Sequence, residues 1–446
     1  MTLSKFGRYD GNRVDESGGK AVVLGAGIAG LCVARVVADA FDQVILVERD
    51  SLPENAVKRG GVPQSAHPHV LWEAGRATLE DFFPGYGEEL VSAGGLFIDV
   101  TTDFNYYIEE GFVADGRSSL PMYAASRPLF EHLVRRRVVA RDDVEVWSNC
   151  QFVEYLLSDD ATAVTGVVVE DECGQTTLSA ALVADATGRT SQTPTWLENH
   201  GYPSPPAEEI RVDVSYNTVA IERPPTDRRL FVVSPSPSRT SYGGLFPVED
   251  GRWLAILGEM HSDGPPPNAE TITSIAENLP IPHVERLLTT QPWIDREVRS
   301  YFFPSNVRWR YEDIDSFPDN LVVVGDAIAS FNPIYAQGMS VAALEALLLH
   351  HLLADGIPDD IGLRFFEQVT AVVDIAWQLA VDSDHRFPQT SGPSPRGSGF
   401  RNRYRSRVIR SAHSDPTVAD AFYRVLAMQH SPTLLLRPGI LWRVLT

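Results

Sequence analysis

Residues 20–50 carry the first clear pattern of apolar and polar positions. A short apolar run ends at Leu24, a glycine-rich turn follows, and the apolar residues of 31–37 then recur at helical spacing. A second apolar run spans residues 44–47. This succession of strand, tight turn, helix and strand predicts a βαβ unit.

Later stretches extend this pattern. The runs at 181–188 and 320–327 are typical of buried strands that end in a glycine turn, and residues 338–353 predict a long apolar helix. Between about 205 and 310, short alternating runs among many Pro and Gly residues predict an antiparallel sheet. From about residue 362 the spacing is helical again. We therefore predict an α/β fold with a Rossmann-type domain, an inserted antiparallel sheet and a C-terminal helical region.

The composition narrows the classes of protein. The chain has 446 residues, of which 43% are hydrophobic, which is enough for a large core and excludes a disordered or fibrous chain. Lys+Arg 38 against Asp+Glu 59 give a formal net charge of −21. Such a charge repels the phosphates of nucleic acids and anionic lipid headgroups, so we expect neither a nucleic-acid binder nor a basic membrane-surface protein.

Cysteine content and hydropathy bear on location. Cys32, Cys150 and Cys173 form an odd set without a CxxC pair, which argues against a disulfide framework or a structural zinc site. No stretch reaches about 18 consecutive apolar residues, so no membrane span is predicted. The N-terminus lacks the apolar region of a signal peptide. We expect a cytoplasmic protein.

The turn after the first strand has the pattern of a dinucleotide-binding site. Gly25, Gly27 and Gly30 fit G-x-G-x-x-G: the first permits a tight turn, the second admits a pyrophosphate, and the third lets helix and strand pack closely. The helix N-terminus adds free N–H groups and a positive dipole end. Glu48, which ends the second strand, suits ribose hydroxyls and repels a 2′-phosphate, so we expect NAD or FAD rather than NADP.

A second candidate region lies almost 300 residues downstream. Asp326 follows a buried strand, where its carboxylate can accept hydrogen bonds from another polyol. Gly338 and Met339 begin a long apolar helix whose positive end suits the electron-rich edge of a reduced flavin. An ordinary NAD dehydrogenase has no need of this distant region. We therefore predict that the cofactor is FAD.

These motifs together resemble a known family. GAGIAG with ERD, a later GDA and NPxxxxGM are similar to the motifs of FAD-dependent monooxygenases of the para-hydroxybenzoate hydroxylase fold. Residues 58–72, KRGGVPQSAHPHVLW, and 331–343, FNPIYAQGMSVAA, resemble segments of bacterial polyene epoxidases of polyether biosynthesis. The spacing of LFPVEDGRW is similar as well. The resemblance covers most of the chain to about residue 390.

The resemblance implies a set of cofactor-binding residues. They are Gly25, Gly27, Gly30, Glu48, Arg49, Arg59, Arg127, Asp326, Pro333, Gly338 and Met339. Arg49 and Arg59 match basic positions near the adenosine and pyrophosphate, and Arg127 matches an arginine that opens a helix beside the flavin. Asp326 matches the acid on the ribityl or pyrophosphate side. Pro333, Gly338 and Met339 match the loop at the isoalloxazine edge. Catalytic residues stay unassigned, and no metal ligand is predicted.

The expected domain organisation combines the pattern with the resemblance. Residues 1–195 form the first part of a Rossmann-type, GR2-like FAD-binding domain, with a short excursion into the substrate domain near 96–122. Residues 196–310 form a mainly antiparallel substrate domain. Residues 311–365 complete the FAD-binding domain, and 366–446 form a C-terminal helical region.

The activity that the resemblance implies is oxygen transfer. Reduced FAD would react with O₂ to give a flavin hydroperoxide, which inserts one oxygen atom into a lipophilic alkene (epoxidation) or an electron-rich ring (hydroxylation). The chain has no second nucleotide fingerprint, so NAD(P)H binds transiently as electron donor or a partner flavin reductase supplies the electrons. The alternatives are an FAD-dependent reductase of polyprenyl-type double bonds and a flavin-binding protein without activity.

Some positions depart from the family pattern or allow two interpretations. Thr187 stands where aromatic hydroxylases carry an aspartate. The details of how those enzymes use NAD(P)H therefore do not carry over to this chain. The WxWxIP segment and catalytic lysine of related halogenases are missing. His67 and His69 suit either structural contacts or the pocket. The arginines of 396–410 suit a solvated face or a docking site for an acidic partner. The apolar residues of 431–445 suit a packed helix or a membrane contact.

Overall fold

The computed structural model describes residues 2–262 and 268–446. Its five-stranded parallel sheet contains the βαβ unit predicted near the N-terminus, with Val22 opposite Ile45. The unit consists of β1 (Lys20–Leu24), α1 (Ile28–Val37) and β2 (Gln43–Glu48), and the sheet is completed by β8 (Val144–Ser148), β12 (Leu182–Asp185) and β18 (Leu321–Val323). The strand order is β18-β12-β1-β2-β8. β1, β2, β12 and β18 are almost wholly buried, which explains their continuous apolar runs, whereas the edge strand β8 is largely accessible to solvent.

The other strands of the described chain form three further sheets. They are β3 (Pro68–Leu71), β4 (Leu96–Asp99), β5 (Phe104–Ile108), β6 (Gly111–Phe112), β7 (Pro121–Ser126), β9 (Gln151–Leu157), β10 (Val164–Asp171), β11 (Gly174–Ser179), β13 (Ala207–Glu222), β14 (Leu230–Val233), β15 (Ser241–Val248), β16 (Arg252–Glu259), β17 (Arg299–Trp309) and β19 (Ala329–Ser330). Two sheets have three strands, in the orders β3-β7-β4 and β11-β10-β9. The third has eight strands, in the order β19-β17-β13-β16-β15-β14-β5-β6.

The eight-stranded sheet is mostly antiparallel, as the alternating runs of 205–310 predict, and its two faces carry different contacts. Val219 and Ile221 belong to one buried cluster, and Val214 and Tyr216 to another, because successive side chains of a strand point to opposite faces. Residues 263–267 of the expected substrate domain lie outside the described residues.

Some helices contact the parallel sheet, others contact the eight-stranded sheet, and three contact one another at the C-terminal end of the chain. Besides α1 they are α2 (Glu73–Phe82), α3 (Tyr86–Ser92), α4 (Arg127–Val139), α5 (Thr193–Asn199), α6 (Ala269–Glu277), α7 (His283–Thr290), α8 (Gly338–Ala354), α9 (Ile361–Asp384), α10 (Ser398–Ala412), α11 (Pro416–Leu426) and α12 (Pro438–Leu445). α8 contacts α1, α2 and α9, which explains why it is apolar on nearly every side. The predicted fold class is confirmed.

The C-terminal helices combine packed and exposed side chains. In α12, Ile440 and Val444 are buried. In α10, Arg401 pairs with Asp382 and Arg410 with Glu109. No helix among residues 2–262 and 268–446 has both the length and the apolar character needed to cross a membrane.

Candidate functional site

One cavity of about 530 Å³ brings together residues that are far apart in the chain. It lies between the carboxyl ends of the parallel strands and the eight-stranded sheet. All but one of the expected cofactor-binding residues line it, namely Gly25, Gly27, Glu48, Arg49, Arg59, Arg127, Asp326, Pro333, Gly338 and Met339. Gly30 does not line the cavity. The two candidate regions, almost 300 residues apart in sequence, therefore face one space.

The three glycines of the first turn have different surroundings. Gly25 has φ +100°, and a Cβ there would lie 2.6 Å from the carbonyl oxygen of Ala186. A Cβ on Gly30 would lie 1.8 Å from the carbonyl oxygen of Gly25. At Gly27, by contrast, no heavy atom lies within 4 Å of that position. The open space beside Gly27, at the N-terminus of α1, fits a pyrophosphate, so the residues present fit a dinucleotide.

Glu48 is tied to the glycine turn by several contacts. One carboxylate oxygen accepts a hydrogen bond from the Ala26 N–H at 2.8 Å, and the other accepts one from the Asp50 N–H at 3.0 Å. The Arg59 guanidinium lies 3.0 Å from the first oxygen. These contacts hold the end of β2 against the turn.

Glu131, which sequence reasoning missed, holds three arginines at this end of the cavity. It lies 2.7 Å from Arg59 Nε and 3.4 Å from both Arg127 Nη2 and Arg135 Nη1. The spacing of residues 127, 131 and 135 on one face of α4 was the available signal. Arg127 Nε is buried and has no hydrogen-bond partner among the described residues, so it is available to an anionic ligand.

Two carboxylates lie at the second candidate region. Asp326 sits in a short 3-10 turn after β18, and burial raises its pKa, against the attraction of Arg127 and Arg189. Glu345 of α8 accepts a hydrogen bond from the Gly325 N–H at 2.5 Å, and burial raises its pKa to about 8. Near neutral pH Glu345 is therefore largely protonated, which limits the negative charge beside Asp326.

The loop between β19 and α8 is held by a buried carboxylate from the end of α9. Asp384 accepts hydrogen bonds from Asn306 Nδ2 at 2.8 Å, from Asn332 Nδ2 at 3.0 Å and from the Tyr335 hydroxyl at 2.8 Å. Burial raises its pKa to about 6, although these hydrogen bonds oppose the change. Asn332 and Tyr335 line the cavity beside Pro333, so Asp384 positions the loop from behind.

Arg189 connects the parallel sheet to the eight-stranded sheet. Its guanidinium donates to the Ser305 carbonyl oxygen at 2.6 Å, to the Ser305 hydroxyl at 2.9 Å and to the Ser330 hydroxyl at 3.0 Å. It also lies over the Phe303 ring, 4.9 Å from the centroid. The sequence pattern alone gave this arginine no role.

The far end of the cavity is an aromatic wall on the eight-stranded sheet. The wall consists of Tyr216, Tyr242, Phe246, Ile256, Tyr301 and Phe303. His67 also lines the cavity, with its Nδ1 2.9 Å from the Thr218 hydroxyl. Burial lowers the pKa of His67 to about 4 and that of His69 to about 3, so both rings are neutral near pH 7. Within the described residues no group of three or more His, Cys, Asp or Glu is placed to hold a metal ion.

Comparison with known proteins gives the site its context. The family described as FAD binding domain matches residues 19–360. Protein Rv3254 of Mycobacterium tuberculosis is 30% identical over 442 residues, which cover 94% of this chain and 91% of that protein. Among solved structures, pqsL from Pseudomonas aeruginosa, a probable FAD-dependent monooxygenase, is 16% identical with a TM-score of 0.61, covering 83% of this chain and 98% of that one.

A second solved structure shares this fold. It is 2-methyl-3-hydroxypyridine-5-carboxylic acid oxygenase, 16% identical with a TM-score of 0.61, covering 93% of this chain and 98% of that one. At this identity the two structures show a shared fold. The family match confirms FAD as the cofactor. The chain belongs to the FAD binding domain family and is an FAD-dependent oxidoreductase with the fold of flavin-dependent monooxygenases.

Proposed function

We propose that this chain is a monooxygenase that inserts one oxygen atom from O₂ into a lipophilic alkene or an electron-rich ring. The observation that carries the proposal is the single cavity that includes the glycine turn, Asp326, the loop before α8 and the aromatic wall. FAD, when bound, would carry electrons from an external donor to O₂ and so activate it. The aromatic wall then offers an apolar substrate a place in the same cavity.

The residues at the two ends would hold different parts of the cofactor. The N-terminus of α1 beside Gly27 suits the pyrophosphate. Arg59 and Arg127, which pair with Glu131, add positive charge there. Asp326 would accept hydrogen bonds from a polyol chain. Gly338 has no heavy atom within 4 Å of a Cβ position, so the start of α8 leaves room for the flavin edge.

The aromatic wall contributes shape and exclusion of water. Tyr216 and Tyr242 are buried and pack edge to face, with ring centroids 5.7 Å apart. Such a wall orients an apolar molecule by contact area rather than by hydrogen bonds. Exclusion of water also protects reactive species formed in the cavity from side reactions.

Of the two substrate classes, the lining favours an alkene. Among the described residues that line the cavity, the carboxylates are Glu48 and Asp326, both at expected cofactor positions. The low pKa values of His67 and His69 make both imidazoles weak bases near neutral pH. Hydroxylation of a phenol usually benefits from a base, whereas epoxidation of an alkene needs none. Epoxidation also agrees with the resemblance to polyene epoxidases.

The electron donor and the location complete the proposal. NAD(P)H would bind transiently, or a partner flavin reductase would deliver the electrons, and the protein would act in the cytoplasm. Stopped-flow mixing of the oxidised, FAD-loaded protein with NADH, NADPH or a separately reduced flavin distinguishes these donors. Rapid bleaching of the flavin absorbance by one of them identifies the source.

Oxygen labelling tests the activity itself. The FAD-loaded protein is incubated with its donor, ¹⁸O₂ and a panel of lipophilic polyenes and phenols, and the products are weighed by mass spectrometry. We expect one labelled oxygen atom per product molecule, together with oxygen uptake that depends on the substrate. Saturation of a double bond without uptake of oxygen would instead indicate the reductase of polyprenyl-type double bonds. Reduction of the flavin without formation of any product would indicate a flavin-binding protein without activity.

A further inference from the structure

The C-terminal part of the chain carries charge of the opposite sign to the rest. Residues 396–446 contain nine arginines, two aspartates and no lysine or glutamate, a net charge of +7 within a chain whose total is −21. Charges separated by more than about 8 Å are largely screened at physiological ionic strength. A surface that approaches this region therefore meets local positive charge. The repulsion of anionic headgroups expected from the total charge does not apply here.

Part of this positive charge is not neutralised by neighbouring acids. Arg401, Arg410 and Arg443 pair with Asp382, Glu109 and Asp415 in turn. Arg403, Arg407 and Arg437, by contrast, form no ion pair with any residue in 2–262 or 268–446, and all three are exposed.

Exposed apolar side chains stand beside these arginines. Phe400 is 77% exposed, Trp442 71%, Leu436 56% and Leu445 50%. Large apolar residues that lie together at a surface mark a contact site.

Hydrogen bonds place these residues on one surface. Arg407 Nη2 donates to the Leu445 carbonyl oxygen at 3.4 Å, and the Tyr404 hydroxyl donates to the Leu435 carbonyl oxygen at 2.6 Å. α10 therefore lies along α12 and the 3-10 helix that precedes it. Phe400, Arg403 and Arg407 recur at the spacing of one helix face. We define the C-terminal face as Phe400, Arg403, Arg407, Leu436, Trp442 and Leu445.

We propose that the C-terminal face adsorbs to an anionic lipid surface, with its apolar side chains among the headgroups and upper acyl chains and its arginines on the lipid phosphates. Tryptophan and arginine are both favoured at that depth, because each joins an apolar body to a polar end. A second copy of the same face would oppose arginine to arginine, which disfavours a symmetric dimer. The proposal is independent of flavin chemistry and of the proposed function.

Vesicle sedimentation of the purified, FAD-loaded protein tests the proposal. We expect the protein to pellet with vesicles of mixed phosphatidylglycerol and phosphatidylcholine at physiological ionic strength, to pellet less at high salt, and to stay in solution with phosphatidylcholine alone. Each arginine near an anionic surface strengthens adsorption about fivefold, so Arg403→Ala with Arg407→Ala should weaken it at least about twentyfold. Trp442→Ala should weaken it about tenfold, and a blue shift of the wild-type tryptophan emission should accompany binding.

Matched variants elsewhere on the surface provide the controls. Ile294→Ala removes an apolar side chain that is 47% exposed, and Arg364→Ala removes an exposed arginine of α9. Both should sediment like the wild type, and every variant should keep its flavin absorbance and its melting temperature. The proposal is overturned if the wild type stays in solution with anionic vesicles or if the control variants lose as much binding as the C-terminal ones. A change of oligomeric state in Trp442→Ala without vesicle binding would also overturn it, in favour of contact between copies.

Discussion

The space around each glycine of the first turn shows whether that glycine is required by the packing of the fold or by the ligand. A side chain at Gly30 would collide with the backbone of Gly25, so glycine there serves the packing of α1 on β1. A side chain at Gly27 would meet only the cavity. Substitution at Gly27 should therefore affect the cofactor and leave the fold intact.

For this reason, Gly27→Val should yield folded but colourless protein, and so should Asp326→Ala, because each removes one expected hold on FAD. The visible spectrum of the purified variants measures the flavin content, and circular dichroism measures the fold. Gly439→Val, at another glycine with no heavy atom within 4 Å of a Cβ position, is the control and should stay yellow. Full flavin occupancy in the two site variants would contradict the assignment.

Asp384 should make the stability of the protein depend on pH. Burial raises its pKa from 3.8 to about 6, so the folded state holds the proton more tightly than the unfolded state. The stabilising contribution of this group is therefore complete below pH 4 and is lost as the pH rises to about 6, a change of about 3 kcal/mol.

Asp384→Asn removes this titration. Urea unfolding between pH 4 and pH 7 should show a smaller fall of unfolding free energy in the variant than in the wild type, whatever their absolute stabilities. Asp142→Asn, at an exposed carboxylate on the surface turn before β8, should keep the wild-type slope. Equal slopes for Asp384→Asn and the wild type would show that this carboxyl does not titrate in that range.

Among the elements, α4 carries one carboxylate, that of Glu131, which forms ion pairs with three arginines. Glu131 is buried, and it touches Arg127 and Arg135 on its own helix and Arg59 from the segment after β2. In a buried site, like charges without a counter-ion are costly. α4 thus presents positive charge to the cavity only because Glu131 balances part of it.

Glu131→Gln should lower the unfolding free energy by about 3–5 kcal/mol, since it leaves the three guanidinium groups without their shared carboxylate. Thermal unfolding of the variant measures this loss, and its flavin content reports whether Arg59 and Arg127 keep their positions. The exposed Glu170→Gln of β10 is a matched substitution that should cost almost nothing. An unchanged melting temperature in Glu131→Gln would refute the role of the carboxylate as an anchor.

At the scale of the whole molecule, the cavity exists because two sheets meet. Arg189 follows β12 of the parallel sheet, while its partners Ser305 and Ser330 belong to β17 and β19 of the eight-stranded sheet. The aromatic wall lies on the second sheet and the glycine turn on the first. The junction therefore sets the distance between the expected cofactor and substrate positions.

Arg189→Met should weaken this junction by about 2–3 kcal/mol, because Ser305 is buried and loses a charged donor for its hydroxyl and its carbonyl group. Chemical denaturation measures the loss, and the substrate KM reports on the altered junction. Arg211→Met breaks an ion pair between Arg211 and Asp213 at the surface, where the arginine side chain is 65% exposed. This control should leave the unfolding free energy almost unchanged. Equal stability of both variants would mean that Arg189 does not join the sheets.

Local pattern was enough for the features that depend on neighbouring residues. The βαβ unit, the antiparallel segment and α8 follow from apolar periodicity, and the glycine spacing with its acid indicates a dinucleotide, because backbone geometry within a few turns sets these constraints. The fold class and a dinucleotide site were predictable for this reason, whereas the choice of FAD also needed the second candidate region near Asp326.

Contacts between distant segments could not be predicted in the same way. Glu131, Arg189 and Asp384 become important through partners that lie 72, 116 and 49 or more residues away in the chain. No periodicity records such a contact, because the partners meet only after the sheets and helices have packed. Sequence alone thus determined the βαβ unit, the antiparallel segment, α8, the fold class and the cofactor. Tertiary packing alone decided which buried charges balance one another, how the two candidate regions share one cavity, and where exposed arginines and apolar side chains come together.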